Sequence, residues 1–78
     1  MKYPLVHIEF EDICTTPGWH QFPVTFSPTI ATIVGYVVKK DRKHIILASG
    51  FVDEEYGDQT VLRRSLIVKM KVLRDADT

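Results

Sequence analysis

The stretch Ile30–Lys40, IATIVGYVVKK, decides the fold. Six of its eleven residues are β-branched, which is typical of a strand because branched side chains pack well on a pleated sheet. Gly35 lies in the middle, and a glycine inside a strand marks a bend, a bulge or the close approach of another backbone. The stretch therefore predicts one long strand, and we expect it to bend at Gly35.

Four further stretches of the chain read as strands. In the clearest, LVHIEFE, every second residue is apolar, as expected for a strand with one buried face. We expect an all-β fold in which a five-stranded antiparallel sheet bends strongly into a small barrel, and a single domain over residues 1–78. The four additional strands are predicted at Leu5–Glu11, His44–Val52, Gln59–Arg63 and Leu66–Leu73.

The longest connection is predicted between the first two strands. Residues 12–28, DICTTPGWHQFPVTFSP, hold three of the four prolines and the turn signal Pro17-Gly18, so they predict a long loop. We expect the aromatic residues Trp19, Phe22 and Phe26 to pack on the body of the barrel. The alternative is an exposed platform that stacks bases or anchors a protein partner.

The size and composition of the chain exclude several classes of protein. A core of 78 residues rarely supplies more than about 3–5 kcal/mol of stability, so we expect a homo-oligomer. Cys14 is the only cysteine, and no apolar run is long enough to span a bilayer, which favours a cytoplasmic protein without membrane contact. Because the cysteine and the histidines are scattered, we expect no metal site, no cofactor and no enzymatic activity.

The charges are unevenly distributed, although ten basic and ten acidic residues balance to a net charge of zero. This balance argues against nucleic-acid binding by the whole surface but allows a local basic patch. The sequence Asp53–Asp58, DEEYGD, predicts an acidic loop, and residues 74–78 predict a frayed tail. Six basic residues fall in two predicted turns, KKDRK and RRS, namely Lys39, Lys40, Arg42, Lys43, Arg63 and Arg64. These basic turns are candidates for such a patch. The alternative interpretation is that they are only solvated, as charged residues at the tips of tight turns often are.

Two short motifs resemble the signature of the Sm-like proteins, small β-barrels that include the bacterial host-factor RNA chaperone. In the first, GYVVKKD followed by HIILAS, Asp41 comes six residues after Gly35. The second, VLRRSLIVKM, has the apolar and arginine positions of the family, with Arg64 where the family usually has glycine. The likeness covers Ile30–Leu73. The overall pattern is also similar to that of small bacteriophage and prophage proteins, a likeness that carries no function with it.

The resemblance implies that the turn between strands two and three lies beside the turn between strands four and five. In the family's rings both turns face a central pore, and the acidic loop would lie elsewhere on the barrel. It further implies a structural clasp between Asp41 and Arg63 and single-stranded RNA binding by the basic turns, with His44 as the candidate base contact. The residues assigned to RNA are Lys39, Lys40, Arg42, Lys43, His44, Arg63 and Arg64. The alternative is a phage-type accessory or structural module that binds a protein through the Trp19 loop and does not bind nucleic acid.

Overall fold

The computed structural model describes residues 2–13 and 17–76, and within them the fold is all-β, as predicted. A 3₁₀ turn at Arg64–Leu66 joins the last two strands. The strands are β1 Leu5–Asp12, β2 Thr29–Lys40, β3 His44–Ala48, β4 Gly50–Val52, β5 Glu55–Gly57, β6 Thr60–Arg63 and β7 Ile67–Arg74.

Five of the strands form one antiparallel sheet in the order β6-β3-β2-β1-β7, which confirms the predicted five-stranded antiparallel sheet. The long strand β2 pairs with two neighbouring strands. It pairs with β1 from Thr29 to Tyr36 and with β3 from Tyr36 to Lys40. The change of partner therefore falls one residue after Gly35.

Gly35 is buried where β2 and β3 come close together. A Cβ atom at this position would lie 3.1 Å from the carbonyl oxygen of Ala48 and 3.2 Å from Cβ of Leu47. Both distances are tighter than ordinary packing contacts, so the missing side chain permits the approach. The irregularity in the pairing of β2 with β3 lies further on, between Val37 and Lys39.

The core lies between β1, β3 and β6. The alternation in β1 turns Val6 and Ile8 inward, and both are almost completely buried. Across the core lie Ile45, Leu47 and Leu62, which complete the cluster of buried residues. The strand pattern read from the sequence therefore predicts which face of β1 is buried.

The predicted third strand, His44–Val52, is divided in the structure. It leaves the large sheet after Ala48, because Ser49 donates its backbone N–H to the carbonyl of Gly57, at 2.9 Å, and not to a neighbour in that sheet. The chain then forms a β4–β5 hairpin, so the segment predicted as an acidic loop contains a strand. Asp53 has a φ of 53° in its turn, a conformation that aspartate tolerates better than most residues.

Several predicted strand boundaries are wrong by one residue: β2 begins at Thr29, β6 begins at Thr60, and Leu66, predicted as the first residue of the last strand, lies in the 3₁₀ turn. Asp12 was assigned to the loop but pairs with Thr29 in the sheet, and Arg74 was assigned to the tail but pairs with Leu5. These residues belong to strands because each still has a neighbouring strand with which to exchange backbone hydrogen bonds. Residues 14–16 of the predicted loop, including Cys14, and residues 77–78 of the predicted tail lie outside the described part of the chain.

Candidate nucleic-acid interface

The hairpin turn between β2 and β3 is organised by one carboxylate. Asp41 accepts hydrogen bonds from the backbone N–H groups of Lys43, at 2.8 Å, and of His44, at 2.7 Å. Aspartate often begins a turn in this way, because its short side chain can bond to the backbone two or three residues ahead. The turn thereby fixes Arg42 and Lys43 at its exposed tip.

The same hydrogen bonds stabilise the charged form of Asp41. The pKa of this carboxyl is lowered from its ordinary value of 3.8, mainly by the N–H groups of Lys43 and His44 and to a lesser degree by the nearby side chains of His44 and Lys39. Asp41 is therefore a carboxylate at neutral pH. It partly neutralises the turn, and its main effect is to hold the backbone in place.

The second basic turn lies directly beside the first, as the resemblance implied. His44 is paired with Arg63 where β3 meets β6. Arg64, the first residue of the 3₁₀ turn, donates its backbone N–H to the carbonyl of Lys43 at 2.8 Å. Its guanidinium Nη1 donates to the carbonyl of Asp41 at 3.1 Å. Two hydrogen bonds from one residue therefore join the two turns.

The structure assigns the clasp to Arg64, whereas the sequence pointed to Arg63. Among the described residues, no ion pair joins Arg63 to Asp41. The reason is the strand alternation, since Leu62 faces the core and Arg63, the last residue of β6, faces solvent. The 3₁₀ turn then redirects the chain and brings Arg64 back over the first turn.

His44 occupies the junction of the two turns. Its Nδ1 atom lies 3.6 Å from Oδ1 of Asp41, and about a third of its side chain remains exposed. It is thus held beside the carboxylate with part of its ring accessible to solvent, next to the exposed side chain of Arg63. This geometry is compatible with the base contact that the resemblance implied for His44.

The six basic residues at and beside the two joined turns are called here the basic face, although Lys39 pairs with Ile46 and Lys40 with the buried Ile45, so the side chains of these two neighbours point to opposite sides of β2. All six of its basic residues are exposed, so their charges act through solvent and attract a polyanion by their number rather than by any single buried contact. The basic face comprises Lys39, Lys40, Arg42, Lys43, Arg63 and Arg64.

The acidic segment is not as remote from the basic face as expected. A cavity of about 530 Å³ is lined by Lys2 and Lys39 on one side and by Asp53, Glu54 and Glu55 on the other. Lys39 therefore lies at the boundary of the basic face, where nearby carboxylates reduce the positive potential.

Aromatic packing explains why the acidic hairpin lies there. The ring of Phe51 in β4 stacks on Tyr3, with centroids 5.3 Å apart, and contacts the tilted ring of Tyr36 at the same distance. Such ring pairs stabilise beyond the area that they bury. They draw the hairpin over β2 and carry its carboxylates toward Lys39. The sequence contains a signal for this hairpin. Phe51-Val52 and Tyr56 lie on either side of a short polar turn, a pattern that is typical of two short paired strands.

The aromatic residues of the long loop do not pack on the body of this chain. Trp19 is fully exposed, at 103% of its reference area, and Phe22 and Phe26 are exposed by 87% and 84%. The prediction that they cover the barrel is therefore wrong for the single chain. Rings as exposed as these bury little apolar area against the rest of the described chain.

Other kinds of site find little support in the described part of the chain. There, no group of three or more histidine, cysteine, aspartate or glutamate side chains is arranged to hold a metal ion. Residues 2–13 and 17–76 also contain no helix long and apolar enough to cross a membrane. Comparisons with protein-family models, with curated proteins and with solved structures find no match to this chain.

Proposed function

We propose that this protein is a non-enzymatic, self-assembling module that binds single-stranded RNA through its basic face. The observation that carries the proposal is the pair of hydrogen bonds from Arg64 to Lys43 and Asp41. They hold two basic turns together that are separated by about twenty residues of sequence. A fixed cluster of exposed cations attracts a phosphate backbone without a prior cost of ordering the turns.

We further propose that the sheet bends into a Sm-like or SH3-like barrel whose two outermost strands, β6 and β7, are not paired with each other. Two features support this: β2 divides its pairing between β1 and β3, and a 3₁₀ turn of three residues joins the two outermost strands, β6 and β7. Such a short link keeps the outer strands adjacent at one end. The adjacency of the two basic turns agrees with what the resemblance to the Sm-like family implies.

Self-assembly is proposed because each outermost strand is paired on one side only in the described sheet. The unpaired backbone groups of β6 and β7 can bond to the complementary strand of a second copy. Repetition around a ring would bring several basic faces together and strengthen RNA binding. The same edge pairing would bury the apolar side chains that β7 leaves exposed.

The test is the affinity for a short, fluorescently labelled single-stranded RNA, measured by anisotropy at increasing salt concentrations. The variant Arg42→Ala/Lys43→Ala/Arg63→Ala removes three cations and leaves Arg64 in place as the clasp. Each lost phosphate contact lowers the slope of log affinity against log salt by about 0.7, so we expect a decrease of about 2. Unchanged affinity and slope in this variant would exclude the basic face.

A matched control separates a local site from general charge. Lys69→Ala/Lys71→Ala removes two exposed cations on β7, opposite Glu9 and His7 of β1 and outside the basic face. We expect it to reduce RNA affinity far less than the basic-face variant does. An equal loss per removed cation in the two variants would mean that only the total charge matters.

A second candidate is a protein-interaction module that does not bind RNA. The observation in its favour is the fully exposed Trp19 with its two neighbouring phenylalanines. Large exposed aromatic residues are frequent anchors of protein interfaces. Absence of RNA binding at low salt, with a folded protein, would favour this candidate.

A further inference from the structure

The cavity between the β4–β5 hairpin and the large sheet, called here the hairpin cavity, shares only Lys39 with the basic face. Its volume of about 530 Å³ falls in the range of sites for small molecules. No residue of the edge strands β6 and β7 lines it. The apolar part of the lining combines aromatic and aliphatic side chains, namely Tyr3, Val38, Ile46, Phe51 and Tyr56.

The hairpin cavity carries opposite charges on its two sides. Lys2 and Lys39, from the N-terminal segment and β2, form one side, called here the lysine wall. Asp53, Glu54 and Glu55, from the turn of the hairpin and the start of β5, form the carboxylate wall. Among the described residues, no ion pair joins the two walls. Both walls therefore offer their charges to a molecule that enters between them.

The cavity is formed before any molecule binds, because contacts within the chain hold the hairpin in place. The ring centroid of Phe51 lies 5.3 Å from that of Tyr3 and 5.3 Å from that of Tyr36. The ring of Tyr56 is oriented by a hydrogen bond that its hydroxyl donates to Oε1 of Gln59, at 2.7 Å. A preformed site binds a ligand without the cost of ordering its walls.

The lining disfavours ligands with charges of a single sign. The lysine wall repels a polycation, and the carboxylate wall repels a phosphate backbone or another polyanion. A molecule with one ammonium and one carboxylate group meets an opposite charge on each wall, and an aromatic side chain between them covers the rings of the floor. Because the walls belong to different segments of the chain, the two charged groups of the ligand need to be separated, as they are in a short peptide.

We propose that the hairpin cavity binds a zwitterionic dipeptide or tripeptide with an aromatic side chain. The amino terminus of the peptide lies against the carboxylate wall, and its carboxyl terminus lies against the lysine wall. Its aromatic side chain packs on the rings of Phe51 and Tyr56. This site goes beyond the proposed RNA binding and does not rest on it, because a bound peptide leaves the two basic turns free.

The first test compares the dipeptide alanylphenylalanine with its N-acetylated form and with its C-terminal amide, using the amide chemical shifts of the isotope-labelled protein. The two blocked forms each lack one charge and keep the same aromatic side chain. We expect saturable shifts at Lys39, Phe51 and Glu55 with the free dipeptide. Each blocked form should bind about two- to fivefold more weakly, as for the loss of one exposed ion pair.

Two results of this comparison would overturn the proposal. Equal binding of the three forms would mean that only the aromatic side chain is recognised and that the charged walls take no part. The absence of saturable shifts at millimolar concentrations of the free dipeptide would mean that the cavity is not a peptide site.

A variant of the carboxylate wall identifies the partner of the amino terminus. Asp53→Asn/Glu54→Gln/Glu55→Gln removes three charges, and asparagine tolerates the φ of 53° at the first position. We expect this variant to lose the preference for the free dipeptide over the acetylated form. The control Glu9→Gln/Glu11→Gln removes carboxylates of β1 outside the cavity and should keep this preference. A preference that survives in the carboxylate-wall variant overturns the proposal.

The basic-face variant Arg42→Ala/Lys43→Ala/Arg63→Ala separates the peptide site from the proposed RNA site. None of its three positions lines the hairpin cavity, so it should bind the dipeptide like the wild type whatever its affinity for RNA. Loss of dipeptide binding in this variant while it remains folded would overturn the proposal. Shifts confined to the basic turns or to residues 17–28 would place the peptide elsewhere and would overturn it as well.

Discussion

The body and the long loop, whose residues 17–28 are called here the arm, use the same kinds of apolar side chain in opposite ways. In the body, Ile8 and Leu47 are 0% and 1% exposed, whereas in the arm Trp19 and Phe22 are 103% and 87% exposed. The difference follows from the neighbours that the chain provides. Strands bring residues distant in sequence into contact, whereas the aromatic rings of the arm remain exposed to solvent. The body therefore specifies its own structure, whereas the apolar side chains of the arm remain in water.

The largest contrast is expected in stability. Ile8→Ala leaves a cavity at a completely buried position and should lower the free energy of unfolding by about 2–5 kcal/mol. Phe22→Ala removes a larger side chain but, in dilute monomer, should change the free energy of unfolding by less than about 0.5 kcal/mol. Chemical unfolding of both variants measures the two changes in the free energy of unfolding. A similar loss in the two would show that the arm packs on its own body.

The two adjacent arginines provide a finer contrast within the body. Arg64→Ala removes the bond to the carbonyl of Asp41 and should lower the free energy of unfolding by about 0.5 kcal/mol, a small value because the bond is exposed. Arg63→Ala should leave stability unchanged, and because both arginines are cations of the basic face, each of the two changes should weaken RNA binding. Thermal unfolding and RNA anisotropy on the same pair of variants separate the two roles. Equal effects of the two changes in both measurements would contradict this division.

The smallest effect is expected at Asp41 and depends on pH. Because its pKa is lowered in the folded protein, its charged form contributes stability that is fully present above 3.8 and is lost as the pH falls through the lowered value. Asp41→Asn keeps an acceptor oxygen but has no charge. We expect the stability difference between wild type and this variant to decrease from pH 5 to pH 2, as measured by denaturant unfolding. A difference independent of pH would mean that the carboxylate charge does not organise the turn.

Much of the body could be predicted from the sequence, because strand formation leaves a local pattern. The alternation of Leu5–Glu11 and the β-branched run Ile30–Lys40 each lead to a strand at nearly the right place. Gly35 was correctly singled out, since a close approach of backbones requires the absence of a side chain. These features depend on the residues of one segment and its immediate pairing.

Features that depend on contacts between distant segments were missed. The hairpin Gly50–Gly57 was assigned partly to a strand and partly to a loop, because its position depends on Phe51 meeting Tyr3 and Tyr36. The choice of Arg64 over Arg63 as the clasp depends on a 3₁₀ turn that changes the direction of the chain. The basic turns were recognised by composition, and their adjacency came only from the resemblance.

The most direct measurement is the solution mass by light scattering at low salt, with and without a short single-stranded RNA. The predicted result is a particle heavier than the monomer mass of 9.0 kDa that gains the mass of bound RNA. This particle should lose the RNA as the salt concentration increases. A folded monomer whose mass does not change on addition of RNA would contradict both the assembly and the function proposed for the basic face.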